Sequence, residues 1–188
     1  MKKLLMAIAV LCSVSALHAV EPDYYAALCA WAPGQLPSSS SSEIWGIRTT
    51  LFYGDCSRMK GLDLAIGANR TRERFNGLGI ACIYNYANSQ AGLELGFANV
   101  VERESYGAQL GAWNHAGIGF GFQGGVVNTA GYFAGLQCGL FNWADDLDGL
   151  QLGLVNWADS MTGLQIGLLN FIDDDRFLYV FPFVNGRF

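Results

Sequence analysis

The chain is poor in charged residues and in histidine, and each scarcity excludes a class of protein. Charged residues are only 14% of the 188 residues, and the formal net charge is −5. A nucleic-acid-binding protein would carry a basic surface, and no basic stripe occurs here. Only two histidines, His18 and His115, are available for acid–base chemistry. Because 52% of the residues are hydrophobic, the chain does not have the composition of a disordered protein either.

Glycine, in contrast, is abundant, and one glycine in each of nine phrases marks an internal repeat. The later phrases are nearly identical, as in GLQCGLFNWADD, GLQLGLVNWADS and GLQIGLLNFIDD. The spacing is 15 or 16 residues at first and 14 in the last copies. We call these the marker glycines: Gly46, Gly61, Gly77, Gly92, Gly107, Gly121, Gly135, Gly149 and Gly163. A period of this kind indicates a repeat architecture.

Within each phrase apolar residues alternate with small or polar ones, which is typical of β-strands. Leu150, Leu152 and Leu154 face one way, and Gln151 faces the other. We therefore predict a leucine-rich core with the glutamines on the outside. The connections have an inward side as well, because small and larger apolar residues recur there: Ala116, Ala130, Ala144 and Ala158, and Phe133, Leu147 and Met161.

Two all-β architectures place one strand in each repeat. In an up-and-down outer-membrane barrel, neighbouring strands run in opposite directions, so the pattern would repeat every second phrase. In a β-solenoid, each phrase forms one equivalent coil and identical residues stack. The pattern recurs in every phrase, and asparagine interrupts the apolar stretch before it reaches the about 9–11 residues of a membrane strand. We predict a solenoid-like stack of 14–16-residue coils, with the barrel as the alternative.

The N-terminus has the organisation of a secretory signal peptide. A basic start is followed by an apolar run from Leu4 to Val14, shorter than the about 20 residues of a membrane-spanning helix. Cleavage is expected after Ala16 or Ala19. The predicted segments are a signal peptide (1–19), an N-terminal cap strand with a serine-rich loop (20–45) and a β repeat domain (46–188).

An exported chain can form disulfides, and four cysteines follow the signal peptide. Cys29 with Cys56 is the pair that we consider for a disulfide. Cys138 stands at the position of Leu152 in the next copy, so we predict that it lies in the core as a small hydrophobic residue.

Two rows of amide side chains are the candidate functional residues. The asparagines are predicted to form a ladder, in which each bonds to the next coil. The glutamines form either a similar ladder or an outward stripe that could bind a repetitive ligand such as a glycan. The first row is Asn114, Asn128, Asn142, Asn156 and Asn170, and the second is Gln109, Gln123, Gln137, Gln151 and Gln165.

No catalytic, metal or cofactor site is indicated by the sequence. His115 lies in a connection, and no nucleophile-elbow motif accompanies it. The aspartates lie in turns and lack the Gly-Gly-x-Gly-x-Asp repeat of calcium-binding β-helices. We therefore predict that the protein is not an enzyme and that it needs no cofactor or metal.

GIRTTLFYGDCSRMKGLDLAIGANR, the serial GLQxGLxN phrases and the closing FPFVNGRF resemble the bacterial surface repeat-containing proteins known from spirochaetes and other envelope-bearing bacteria. The resemblance covers residues 46–188. It implies an exported protein associated with the cell surface or the outer membrane, and it supplies no catalytic residues.

From these features we expect an exported, non-enzymatic protein of the cell envelope, with a structural or adhesive role. Its location would be the outer membrane, the cell surface or the periplasm. Its partners would be the outer membrane or a cell-surface glycan or protein, and not nucleic acid. The alternative is an integral outer-membrane β-barrel that passes small molecules. The sequence does not indicate an oligomeric state.

Overall fold

The computed structural model describes residues 24–31, 35–36, 42–174 and 177–188, and nearly all of them are β-structure. The strands are β1 (Tyr24–Trp31), β2 (Gln35–Leu36), β3 (Glu43–Ala65), β4 (Ala68–Asp174) and β5 (Phe177–Arg187). The described residues contain no helix, and therefore none that could span a membrane. The predicted all-β class is confirmed, whereas the predicted signal peptide lies outside the described residues.

The five strands form one open sheet in the order β2-β1-β3-β4-β5. β1 pairs with β3, and β3 with β4, in parallel. The two ends are antiparallel, because β2 pairs with β1 and β5 pairs with the last repeat of β4. The up-and-down barrel of the alternative prediction needs a closed sheet with antiparallel neighbours throughout. The described strands do not have that arrangement.

Equivalent positions of neighbouring repeats lie beside one another. In the pairing of β3 with β4, Gly61 is opposite Gly77 and Leu62 is opposite Leu78. The 107 residues of β4 cannot be one straight strand, which would extend for about 350 Å. Side chains 14 residues apart within β4 are hydrogen-bonded to each other, as in Asn142 to Asn156. The chain therefore returns to the same side once in every repeat.

The marker glycines are required by both backbone conformation and contact. All nine have φ between +124° and +151°, a region that residues with a side chain rarely adopt. The eight from Gly61 onward also lie against the backbone of the marker glycine one repeat earlier, as Gly149 does against Gly135, whereas Gly46 lies against the backbone of Tyr25. A methyl group at Gly149 would overlap the carbonyl oxygen of Gly135.

The interior is lined by amides, small residues and one larger apolar residue in each of the later repeats. The predicted inward rows of the connections are confirmed, since Ala144, Leu147 and Met161 are all buried. They belong to one cluster, which consists of Ala130, Phe133, Ala144, Leu147, Ala158, Met161 and Ile172. This cluster replaces the leucine core that the alternation had suggested.

The predicted leucine core is wrong, because the leucine side of each phrase faces outward. Leu140 is 46% exposed, Leu154 51% and Leu168 56%. Cys138, predicted to be buried with them, is exposed as well. The physical reason is that the interior has no room for a larger side chain on this part of the phrase. The residue that precedes each of these leucines in the chain is a glycine that already contacts the asparagine ladder. A side chain at Gly153 would collide with the amides of the asparagines on either side.

The disulfide considered between Cys29 and Cys56 is not formed in the structure, where both are free cysteines. Both side chains are buried. The Cys29 thiol donates to the carbonyl oxygen of Tyr53 at 3.0 Å, and the Cys56 sulfur lies 3.8 Å from the hydroxyl oxygen of Thr71.

Candidate functional site

The asparagine row is a buried hydrogen-bonded ladder. Asn142 donates one amide hydrogen to the side-chain oxygen of Asn156 at 2.8 Å and the other to the backbone carbonyl of Leu152 at 2.9 Å. Its own oxygen accepts from Asn128 at 2.8 Å. The predicted members Asn114, Asn128, Asn142, Asn156 and Asn170 are joined by Asn85 and Asn99, all at 2% exposure or less. Each side chain thereby saturates the polar groups beside it.

The glutamine row is a second buried ladder, which runs in the opposite direction. Gln151 donates to the oxygen of Gln137, one repeat earlier, at 2.8 Å, and to the backbone carbonyl of Trp157 at 3.2 Å. The same pattern joins Gln109, Gln123, Gln137, Gln151 and Gln165, which are 0–1% exposed. The outward glutamine stripe is therefore wrong, and these amides cannot meet a glycan. Because the two ladders donate in opposite directions, their side-chain dipoles oppose each other.

Charged residues take the place of glutamine in the earlier repeats, two residues after the marker glycine. Arg48 and Asp63 form a buried ion pair, with Nε of Arg48 donating to Asp63 at 2.8 Å. The repeat after Asp63 has Gly79 at this position, and the next has Glu94. The sequence analysis did not recognise these residues as equivalents of the glutamines, because their residue types differ. Their common position, two residues after the marker glycine, would have identified them.

Glu94 continues the glutamine ladder as a neutral acid. It is 2% exposed, and burial raises its pKa to about 8, although a hydrogen bond with Gln109 opposes the shift. One of its oxygens has no hydrogen-bond partner. A protonated carboxyl group has the shape of the glutamine side chain and, like it, can donate as well as accept.

Glu94→Gln is expected to remove a pH dependence of stability. The pKa of Glu94 is about 8 in the folded protein, against an ordinary value of 4.5. The folded state therefore retains a proton that the unfolded chain loses, and stability falls by about 1.4 kcal/mol per pH unit between these values. Denaturation at several pH values should show this decline in the wild type and in the control Glu104→Gln, at a partly exposed position. An identical decline in Glu94→Gln would contradict the assignment.

The outward side chains of the same phrases form the second element of the site, which we call the apolar face. It comprises the residues one, three, five and six positions after the marker glycines from Gly61 onward. These positions contain no charged residue, and their only polar groups are the thiols of Cys82 and Cys138 and the indole N–H of Trp113. Exposed members are Ile66, Ile80, Ile83, Phe97, Leu110, Trp113, Val126, Leu140, Phe141, Leu154, Ile166, Leu168 and Leu169.

Aromatic side chains border the apolar face. On one side, the ring of Trp157 stacks on those of Trp143 and Phe171, with centroids 5.1 and 5.0 Å apart. On the other side, just before the marker glycines, Tyr106 stacks on Phe120 at 4.9 Å. Both borders therefore carry flat side chains in contact with their equivalents in the next repeat.

An acidic edge lies beyond the tryptophans. The indole nitrogens of Trp143 and Trp157 donate to Asp145 at 3.2 Å and to Asp159 at 2.7 Å. The exposed members of this edge are Asp145, Asp146, Asp148, Asp159 and Asp173. The last three repeats, which begin at Gly135, Gly149 and Gly163, therefore pass from apolar through aromatic to acidic.

No chemistry-bearing cluster accompanies these surfaces. Among the described residues, no group of three or more histidine, cysteine, aspartate or glutamate side chains is placed to hold a metal ion. His115 is half-buried, its Nδ1 lies 2.9 Å from the hydroxyl oxygen of Thr129, and burial lowers its pKa. The features that distinguish the described part of the molecule are thus its amide interior and its apolar exterior.

Comparisons of the chain with protein-family models, with curated proteins and with solved structures found no match in any of the three. The site is therefore interpreted from its own side chains.

Proposed function

We propose that the chain is a β-solenoid of stacked coils and acts as an exported, non-enzymatic adhesive protein of the cell envelope, held to its target through the apolar face. The observation that carries the proposal is the inverted packing, in which amides are buried and leucines are exposed.

The stacked-coil arrangement is supported by the two ladders and by the parallel pairing of β3 with β4. The inward–outward alternation is interrupted twice in a repeat, where two successive side chains both face outward. These places are Leu154–Val155 and Asp159–Ser160 in the repeat that begins at Gly149. A strand that changes its direction there, and again at the marker glycine, forms a three-sided coil.

The adhesive role is supported by the extent of the apolar face. Folded proteins that act alone rarely expose apolar patches larger than a few hundred Å², and larger patches mark interaction sites. Here the exposed apolar side chains recur in successive repeats from Ile66 to Leu169. Covering such a surface releases about 25 cal/mol for each Å² removed from water. The envelope location rests on the N-terminal sequence and on the family resemblance.

Binding to isolated bacterial envelopes tests this function. A variant with Leu140→Asn, Leu154→Asn and Leu168→Asn replaces one outward column of the apolar face. The control places asparagine on the opposite, polar side, by Ser160→Asn and Thr162→Asn, both at exposed positions outside the apolar face and the acidic edge. We expect the wild type and the control to co-sediment with envelopes, and the apolar variant to bind at least tenfold less. Equal binding of both variants would show that this face is not the adhesive surface.

A further inference from the structure

We infer that the apolar face is covered by the hydrocarbon of a lipid bilayer, with the solenoid lying in one leaflet and its long axis in the membrane plane. This inference rests on the proposed function and specifies its target.

The chemistry of the face favours hydrocarbon over a glycan or a protein. A glycan-binding surface needs hydrogen-bond donors and acceptors, and even protein interfaces carry about one hydrogen bond per 100–200 Å². Apart from Cys82 and Cys138, the side chains of the apolar face have only the indole of Trp113 to offer. The glutamine and asparagine amides of the two ladders are buried inside the fold and cannot contribute.

The shape of the face favours a fluid partner over a second copy of the chain. The apolar face continues around the bend between Leu154 and Val155, so it occupies two sides of each coil. A rigid, flat partner could cover one of these sides and would leave the other in water. Lipid chains adapt to both sides at once.

The borders of the face have the chemistry of a membrane–water interface. Tryptophan and tyrosine are enriched where hydrocarbon meets headgroups, because their rings are apolar and their N–H or O–H groups can remain hydrated. Trp143 and Trp157 occupy this border and direct their N–H groups to the aspartates of the acidic edge.

The charge of the acidic edge predicts which lipids are preferred. Between Ser105 and Asp174 the only charged residues are aspartates, and the segment contains no glutamate, lysine or arginine. This edge would be held near the headgroups, where it is repelled by anionic lipids. Zwitterionic phosphatidylcholine should therefore be bound better than phosphatidylglycerol, most clearly at low ionic strength.

Flotation of the full chain with phosphatidylcholine vesicles tests the inference. The wild type and the polar-side control should float with the vesicles, and the variant with asparagine at 140, 154 and 168 should bind at least tenfold less. Tryptophan emission should shift to shorter wavelength on binding and be quenched by lipids brominated near the headgroup. Far-ultraviolet circular dichroism should show the same β-structure in all three proteins.

Three results would overturn the inference. If wild-type chains do not float but form a dimer that the apolar variant loses, the face is an interface between copies. If the wild type binds envelopes but not vesicles, the adhesive function stands and its target is not lipid. If both variants float as well as the wild type, vesicle binding does not use this face.

Discussion

Asn142→Leu is expected to destabilise the protein by about 3–6 kcal/mol, although leucine is among the most frequent residues of its repeat. The substitution leaves three polar groups without partners, namely the amide of Asn128, the carbonyl of Leu152 and the side-chain oxygen of Asn156. Asn128 and Asn156 are fully buried, so water cannot replace the bonds that these two side chains lose. A loss of this size is a large part of the stability of a typical domain.

The control for Asn142→Leu is the opposite substitution, leucine to asparagine, at an exposed position. Leu140 lies two residues earlier and is 46% exposed, so Leu140→Asn should change the free energy of unfolding by less than about 0.5 kcal/mol. Urea denaturation of both variants, in the same buffer without detergent or lipid, measures the difference. A larger loss for Leu140→Asn than for Asn142→Leu would mean that the leucines are the core.

Gly149→Ala is expected to cost at least about 3 kcal/mol, because strain and overlap act together. Gly149 has φ +151°, and a methyl group there would overlap the backbone of Gly135, which belongs to the preceding repeat and is itself a marker glycine. For a chain of this size the loss corresponds to a fall of about 6 °C or more in Tm.

Gly124→Ala is the matched control for the marker glycine. Gly124 lies on the outward side, at the position of Leu110 in the preceding repeat, and its φ is not in the left-handed region. The nearest atoms to a methyl group there would be the ends of the Leu110 and Phe122 side chains, which can turn away. Thermal unfolding should show less than about 1 kcal/mol of change. Equal losses at the two glycines would refute the contact between marker glycines.

Much of the architecture was predictable because a repeat imposes the same geometry on every copy. The period, the strand character and the inward rows of the connections follow from residues such as Gly149, Ala144 and Leu147. The asparagine ladder also follows, since identical amides one repeat apart can bond only if the copies are adjacent. These inferences depend on the spacing of residues and not on which side of the strand faces the solvent.

Alternation of apolar and polar residues did not predict which set of side chains faces the interior. A period of two separates Leu152 from Gln151, but it does not say which of them is inside. The rule that apolar residues face inward assumes water outside and enough room inside. Here Gly153 leaves a narrow interior, and the amides fill it because each satisfies its neighbour. The charged members Arg48, Asp63 and Glu94 were missed because the row was recognised by residue type.

The distances between outward positions of distant repeats test the stack most directly. Spin labels would be attached at cysteines replacing Phe97 and Leu168, and, in a second variant, Ile66 and Leu168. All three positions are exposed, and the exposed Cys82 and Cys138 would be replaced by serine. Stacked coils predict about 24 Å for the first pair, five repeats apart, and about 34 Å for the second, seven repeats apart. A second distance equal to or shorter than the first would mean that the sheet closes on itself, and the stacked-coil account would be wrong.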